Sequence, residues 1–269
     1  MTRGLLSENL ENLDNLNFKE GSINRIERNC TNLSQDEDGD SPLHLSIYFH
    51  NDKTCCRLIP SISKQSLNLQ NNLGQTGLHI ATVLNKVNVV KELISNGIEQ
   101  VLVDCNGKTA FHIACSMNNI DLVKSLSGKH FNKSLLQIRD FQGDTILHSA
   151  LRSKIRKEIL LYLITELGAD VNMIDSRSGR NIFHILAEEG DVMLFRLLHS
   201  LSKCANFSLL TFSGHSIYQL AIGWEKEEIA DYLIKIGADD EPYQSTDDEY
   251  ESESDDNLDN FINMSTRKN

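Results

Sequence analysis

The sequence predicts an all-α solenoid of six stacked helix–turn–helix units joined by short β-hairpin fingers. Two observations carry this prediction. One eight-residue phrase recurs six times: GDSPLHLS (39–46), GQTGLHIA (74–81), GKTAFHIA (107–114), GDTILHSA (143–150), GRNIFHIL (179–186) and GHSIYQLA (214–221). Its anchor positions, His44, His79, His112, His148, His184 and Gln219, lie 35, 33, 36, 36 and 35 residues apart. A period of that length repeats a supersecondary unit rather than a single strand or helix.

Each position of the phrase has a physical task. The glycine makes the tight turn from finger to helix. The residue two places later (Ser41, Thr76, Thr109, Thr145, Asn181, Ser216) is a helix N-cap, accepting a bond from an orphan amide. The residue before the anchor (Leu43, Leu78, Phe111, Leu147, Phe183, Tyr218) packs into the stack. Two residues after the anchor stand Ser46, Ala81, Ala114, Ala150, Leu186 and Ala221, and the small ones let paired helices approach closely. A second helix follows in each unit, and glycine closes most of them. In the first unit Pro60 interrupts this helix and should shorten it. The fifth unit is the weakest match, with Leu186 at the small position and a downstream KCANFSLL in place of the usual Gly-Ala-Asp. The unit resembles the ankyrin repeat, which implies residues 37–240 as six repeats. A flexible region (1–36) is expected before them and an acidic disordered tail (241–269) after them.

Charge is distributed unevenly along the 269 residues, whose net charge is −12. Eleven acidic residues and no Lys or Arg fall between Asp239 and Asp259, whereas residues 38–238 sum to zero. An acidic chain repels phosphate backbones, so no direct nucleic-acid binding is expected. The natural complement of such a tail is a basic protein surface. The N-terminal segment lacks the continuous apolar core of a signal peptide, and no stretch is apolar enough to span a membrane. An intracellular, soluble protein follows as the expectation.

Six cysteines show neither CxxC pairs nor Cys/His metal spacing and are read as free thiols. No metal or other cofactor is expected. The anchor histidines are read as structural, their imidazoles bonding the capping hydroxyl and nearby backbone. No Ser/His/Asp arrangement, carboxylate pair or phosphate-cradling loop stands apart from the repeats, so an enzyme is not expected.

Three further features resemble the IκB family, the ankyrin-repeat inhibitors of NF-κB/Rel transcription factors that include Cactus. The repeat count is the same. The first unit opens Glu37-Asp38-Gly39-Asp40-Ser41 and is followed by Leu69-Gln70-Asn71-Asn72-Leu73, similar to the family's acidic opening and its FQNNL. The last unit reads Ser216-Ile217-Tyr218-Gln219-Leu220, close to the family's SPYQL, before an acidic, serine-containing tail. The resemblance implies a monomer that binds a Rel-homology dimer, masks its nuclear-localisation segment, blocks DNA binding and retains it in the cytoplasm. It assigns Glu37, Asp38 and Asp40, with Asp36 adjacent, to the basic import segment. Finger positions near Ser176, Arg177, Phe212 and His215, with Tyr218, Gln219 and Trp224, fall to the dimerisation domains. The tail carboxylates Asp247, Asp248, Glu249, Glu251 and Glu253 fall to the basic DNA-binding face. Against these stand plainer readings: Asp38 and Asp40 as turn and cap residues, Trp224 as a cover for the end of the core, and the tail as a solubilising segment.

Ser245, Thr246 and Ser252 each have an acidic residue three positions on, the spacing of acidophilic-kinase sites, and phosphorylation there adds roughly −1.5 to −2 charge each. The sequence departs from the family in having no DSGxxS motif, which puts signal-induced destruction in doubt. Leu10, Leu13, Leu16 and Phe18 have the spacing of a leucine-rich export signal and equally that of a plain amphipathic helix. A nuclear IκB-like co-regulator and an unrelated ankyrin adaptor are the alternative functions.

Overall fold

The computed structural model describes residues 35–128, 131–152, 157–202 and 204–238. Six helix pairs run through them: α1 (Pro42–Phe49) and α2 (Asp52–Leu58), α4 (Gly77–Val83) and α5 (Val87–Ser95), α6 (Ala110–Ser116) and α7 (Ile120–Leu126), α8 (Ile146–Arg152) and α9 (Lys157–Thr165), α10 (Ile182–Glu189) and α11 (Val192–Leu201), and α12 (Ile217–Gly223) and α13 (Glu227–Lys235). A short extra helix, α3 (Lys64–Leu67), follows the first pair. Pro60 acts as expected: α2 stops at Leu58 and passes into a 3-10 turn, Ile59–Ser61.

Helices this short are marginal in isolation, so their stability comes from stacking. First helices pack on first helices and second helices on second helices, which makes two layers around one continuous core. Leu43, Leu78, Phe111, Leu147 and Phe183 are buried, and so are all six residues two places after the anchors. Leu186, although larger than its counterparts, is fully buried. The fifth repeat offsets its weak motif with aromatic packing. Phe207, from the atypical KCANFSLL stretch, sits 5.0 Å from Phe183 and 6.0 Å from Phe195, with Tyr232 of α13 against Phe195.

The anchor histidines occupy the third helical position, where their side chains complete reciprocal capping boxes. The His44 Nδ1 accepts from the Ser41 amide at 2.9 Å, and the same bond forms at Thr76–His79, Thr109–His112 and Asn181–His184. In repeat four, Thr145 Oγ1 lies 2.7 Å from His148 Nδ1. An Nδ1 that accepts from an amide belongs to a neutral imidazole carrying its proton on Nε2. That proton reaches the next repeat in two cases, at the carbonyls of Lys108 (3.1 Å from His79) and Arg180 (2.9 Å from His148). Burial lowers the pKa of all five rings, to about 4 for His112 and His184.

The fingers correct one expectation. They are hydrogen-bonded turns rather than β-hairpins; among the described residues the only strand-like pairing is an isolated bridge between Arg139 and Thr145. The reason is local. In five fingers an Asp or Asn side chain (Asp36, Asn71, Asp104, Asp140, Asp175) accepts from amides two and, in all five, four residues on. In the sixth, Thr211 Oγ1 accepts from the His215 amide. These side chains satisfy backbone donors that a strand ladder would otherwise use. Successive tips are then joined by single backbone bonds: Asn72 N to Asp38 O, Cys105 N to Leu73 O, Phe141 N to Asn106 O, Ser176 N to Gly143 O and Phe212 N to Ser178 O. Gly179 has φ +70°, and a Cβ there would meet the Phe212 ring at 2.6 Å, so glycine is required both for the turn and for the contact.

Candidate interaction surface

The acidic opening of repeat one is built by its own turn. Asp36 Oδ1 takes the amides of Asp38 (3.1 Å) and Asp40 (2.7 Å), which leaves the side chains of Glu37 and Asp38 exposed at the tip. Asp40 is partly committed, since its carboxylate accepts from Asn71 Nδ2 at 2.9 Å. It also stands 3.7 Å from the His44 ring, but burial keeps that ring neutral and the contact is not an ion pair. The acidic residues therefore divide: Asp36 and Asp40 shape the finger, whereas Glu37 and Asp38 face outward.

The Gln70-Asn71-Asn72 triplet acquires a structural reason. Gln70 Nε2 donates to the carbonyls of Gly74 (2.6 Å) and Val103 (2.8 Å), Asn71 builds the second finger, and Asn72 Nδ2 donates to the Glu37 carbonyl at 2.9 Å. The triplet binds the acidic finger to its neighbour and fixes where Glu37 and Asp38 stand.

Repeats four and five carry an ionic cluster that no sequence motif marks. Arg152 at the end of α8 pairs with Asp144 (3.0 Å) and Asp175 (3.1 Å), both carboxylates buried. Burial pushes the Asp144 carboxyl above its ordinary range, partly opposed by the Arg152 guanidinium. Burial would raise Asp175 too, but bonds from the Ser178 hydroxyl and amide outweigh it and hold its pKa low. Arg180 and Glu188 form a second pair at 2.8 Å.

In the last repeat Gln219 takes the place of histidine in the cap, its Oε1 accepting from the Ser216 amide at 3.0 Å. Tyr218 is half-buried against the core, and Trp224 is 57% exposed at the end of α12. Trp224 stands five residues after its anchor. Phe49, Leu84 and Met117 hold the same position in repeats one to three and are exposed as well. The signal in the sequence is an apolar residue five places after the anchor in these four repeats, whereas repeat five has Glu189 there. At the finger tips Leu73, Phe141 and Phe212 are exposed, with Ser176 and Arg177 beside them on the fifth finger. The phosphorylation candidates Ser245, Thr246 and Ser252, the tail carboxylates Asp247, Asp248, Glu249, Glu251 and Glu253, and the Leu10–Phe18 segment lie outside the described residues.

The described residues form a row of repeated tips and helix ends, the arrangement of a repeat solenoid. The family model for ankyrin repeats (three copies) matches residues 17–104, 43–137 and 100–175. The chain belongs to the ankyrin-repeat proteins. Over 207 residues, 76% of its length, it is 30% identical to the B-cell lymphoma 3 protein homolog of Mus musculus. Over 143 residues, 51% of its length, it is 33% identical to NF-kappa-B inhibitor alpha of Sus scrofa. It spans less than half of each, 45% and 44% respectively. The solved ankyrin repeat domain of Bcl-3, described as a unique member of the IkappaB protein family, superposes with a TM-score of 0.65 at 29% identity, covering 76% of this chain and 89% of that one. Within the ankyrin class, then, the chain is IκB-like.

Proposed function

We propose that this chain inhibits a Rel-type transcription factor by binding its dimer, covering the basic import segment with the first finger and opposing the DNA-binding face with the acidic tail. The observation that carries the reading is charge at the two ends of a neutral body. Glu37 and Asp38 are exposed on the first finger, eleven carboxylates lie between Asp239 and Asp259, and residues 38–238 sum to zero. Clustered carboxylates complement a Lys/Arg-rich segment, and a carboxylate-rich strand competes with phosphate for the same basic face. Between the ends, the exposed tips Phe141 and Phe212, with Arg177, supply contact area for the dimerisation domains, and Trp224 supplies an aromatic anchor. Retention in the cytoplasm follows from masking the import segment.

Co-purification with a Rel dimer carrying its import segment tests the reading. Binding is expected to weaken with salt and on deletion of the import segment, and no binding at low salt sinks it. A second reading, a co-regulator that leaves the factor on DNA, is favoured by the longer alignment with the B-cell lymphoma 3 homolog, 76% of the chain against 51% for the inhibitor. Displacement of Rel from labelled DNA separates the two. Release supports inhibition, and a ternary complex supports co-regulation.

A further inference from the structure

The edge of the solenoid away from the fingers carries a feature that the acidic-end reading does not use. The loop joining α10 to α11 and the loop joining α12 to α13 border an open, shallow cleft of about 510 Å³, lined by Gly190, Asp191, Val192 and Met193 on one side and Glu225, Lys226, Glu227 and Glu228 on the other. Its chemistry is amphipathic. Met193 is 71% exposed, and the chain running into the cleft exposes Ile222 and Trp224 just before Glu225. Apolar side chains clustered at one exposed place mark an interaction surface more often than scattered ones do.

Of the carboxylates there, only Asp191 has a cation partner among the described residues. Asp191 caps α11 through the Leu194 amide at 2.9 Å and stands 4.0 Å from Lys157. Among the described residues Glu225, Glu227 and Glu228 form no ion pair, and the one cation on the rim, Lys226, lays its methylenes over Gly190. The residue, though not the backbone, departs from its counterparts here. Glu225 has φ +57°, at the loop position where repeats two and three have Asn85 and Asn118 and repeat five has Gly190. Glutamate adopts this conformation less readily than asparagine or glycine.

We propose that this cleft is a second docking surface, for a basic peptide segment of a protein partner whose apolar side chain seats against Met193 while its Lys or Arg residues meet Glu225, Glu227 and Glu228. Charge decides the occupant. The chain's own tail (241–269) carries nine carboxylates and is repelled by three more, and a second copy of a chain with net charge −12 is disfavoured in the same way. A cationic side chain also gains from the face of an exposed indole. The proposal does not rest on the Rel reading, because the cleft lies opposite the fingers and is tested without a Rel protein.

Trp224 is the only tryptophan and directly precedes Glu225, so in the absence of a Rel protein its emission reports on this end of the cleft. The full-length chain is titrated with a short synthetic peptide of alternating Arg and Leu, and with its Glu–Leu counterpart. A saturable blue shift with the first and none with the second is expected. Glu225→Gln/Glu227→Gln/Glu228→Gln should weaken it about tenfold, and so should raising salt to about 0.5 M. Met193→Ser should weaken it with less salt dependence, and thermal melts of each variant verify folding. Neutralising Asp247, Asp248, Glu249, Glu251 and Glu253 to their amides should leave the shift in place. The proposal is overturned by an absent shift, by one that disappears with the tail carboxylates instead, by equal binding of the folded triple variant, or by a shift that grows with protein concentration without peptide, which would assign the cleft to self-association.

Discussion

The first and fifth fingers are built on the same residue in the same role, and they have opposite fates. Asp36 and Asp175 each accept the amides of their own turn. Asp36 belongs to the first finger among the described residues and is exposed. Asp175 has a repeat on either side, is 1% exposed, and holds Arg152 of the preceding repeat. Turn chemistry is a local property; what the turn is worth depends on its place in the array. The first finger is free to present charge to a partner, whereas an interior one uses its charge to join repeats.

The largest effect that this contrast predicts is at Asp175. Asp175→Ala removes the acceptor of three backbone amides and leaves Arg152 with a single carboxylate, so a loss of about 3 kcal/mol is expected in denaturant unfolding. Asp36→Ala in the first finger should cost about 1 kcal/mol, and equal losses would break the comparison.

Between these lies the pH response of the buried anchors. Their folded pKa values are below the unfolded value of 6.5, so the unfolded chain binds more protons on acidification. Stability is full above pH 6.5 and declines as pH falls toward about 4. His112 and His184 should each lose about 2 kcal/mol between pH 7 and pH 5. The double variant His112→Gln/His184→Gln copies the Gln219 cap and should flatten the slope in melts across that range. An unchanged slope would remove these rings as its cause.

The smallest effect on stability belongs to the outward side chains. Glu37→Lys/Asp38→Lys should move the melting midpoint by less than about 0.5 kcal/mol equivalent, yet lower the affinity for a Rel dimer and reduce its salt dependence. A large loss of stability would place these residues in the fold instead of at the interface.

Much of this molecule was legible along the chain because its determinants are close in sequence. A cap and its histidine are three residues apart, so Ser41–His44 and Thr109–His112 appear in any reading of the repeat. The turn-building residues were legible in principle, as an Asp, Asn or Thr ahead of each glycine, but their variable identity and the longer fifth finger (Asp175 to Gly179) hid the pattern. The β-hairpin expectation failed for that reason, since it assigned the finger's donors to a ladder when side chains already held them. Arg152 lies outside every motif, and its carboxylates are eight and twenty-three residues away.

The sequence by itself determined the repeat, its six-fold count, the neutral body and the acidic opening, because each is set by local spacing or by a sum of charges. The tertiary structure alone decided which acidic residues face outward, that Arg152 joins two buried carboxylates, that Phe207 rescues the fifth repeat, and that Met193 and Glu225 share a cleft. Those facts depend on how one repeat is seated on the next. Stacking brings together residues some thirty-five positions apart, and it buries or exposes identical side chains according to their place in the row.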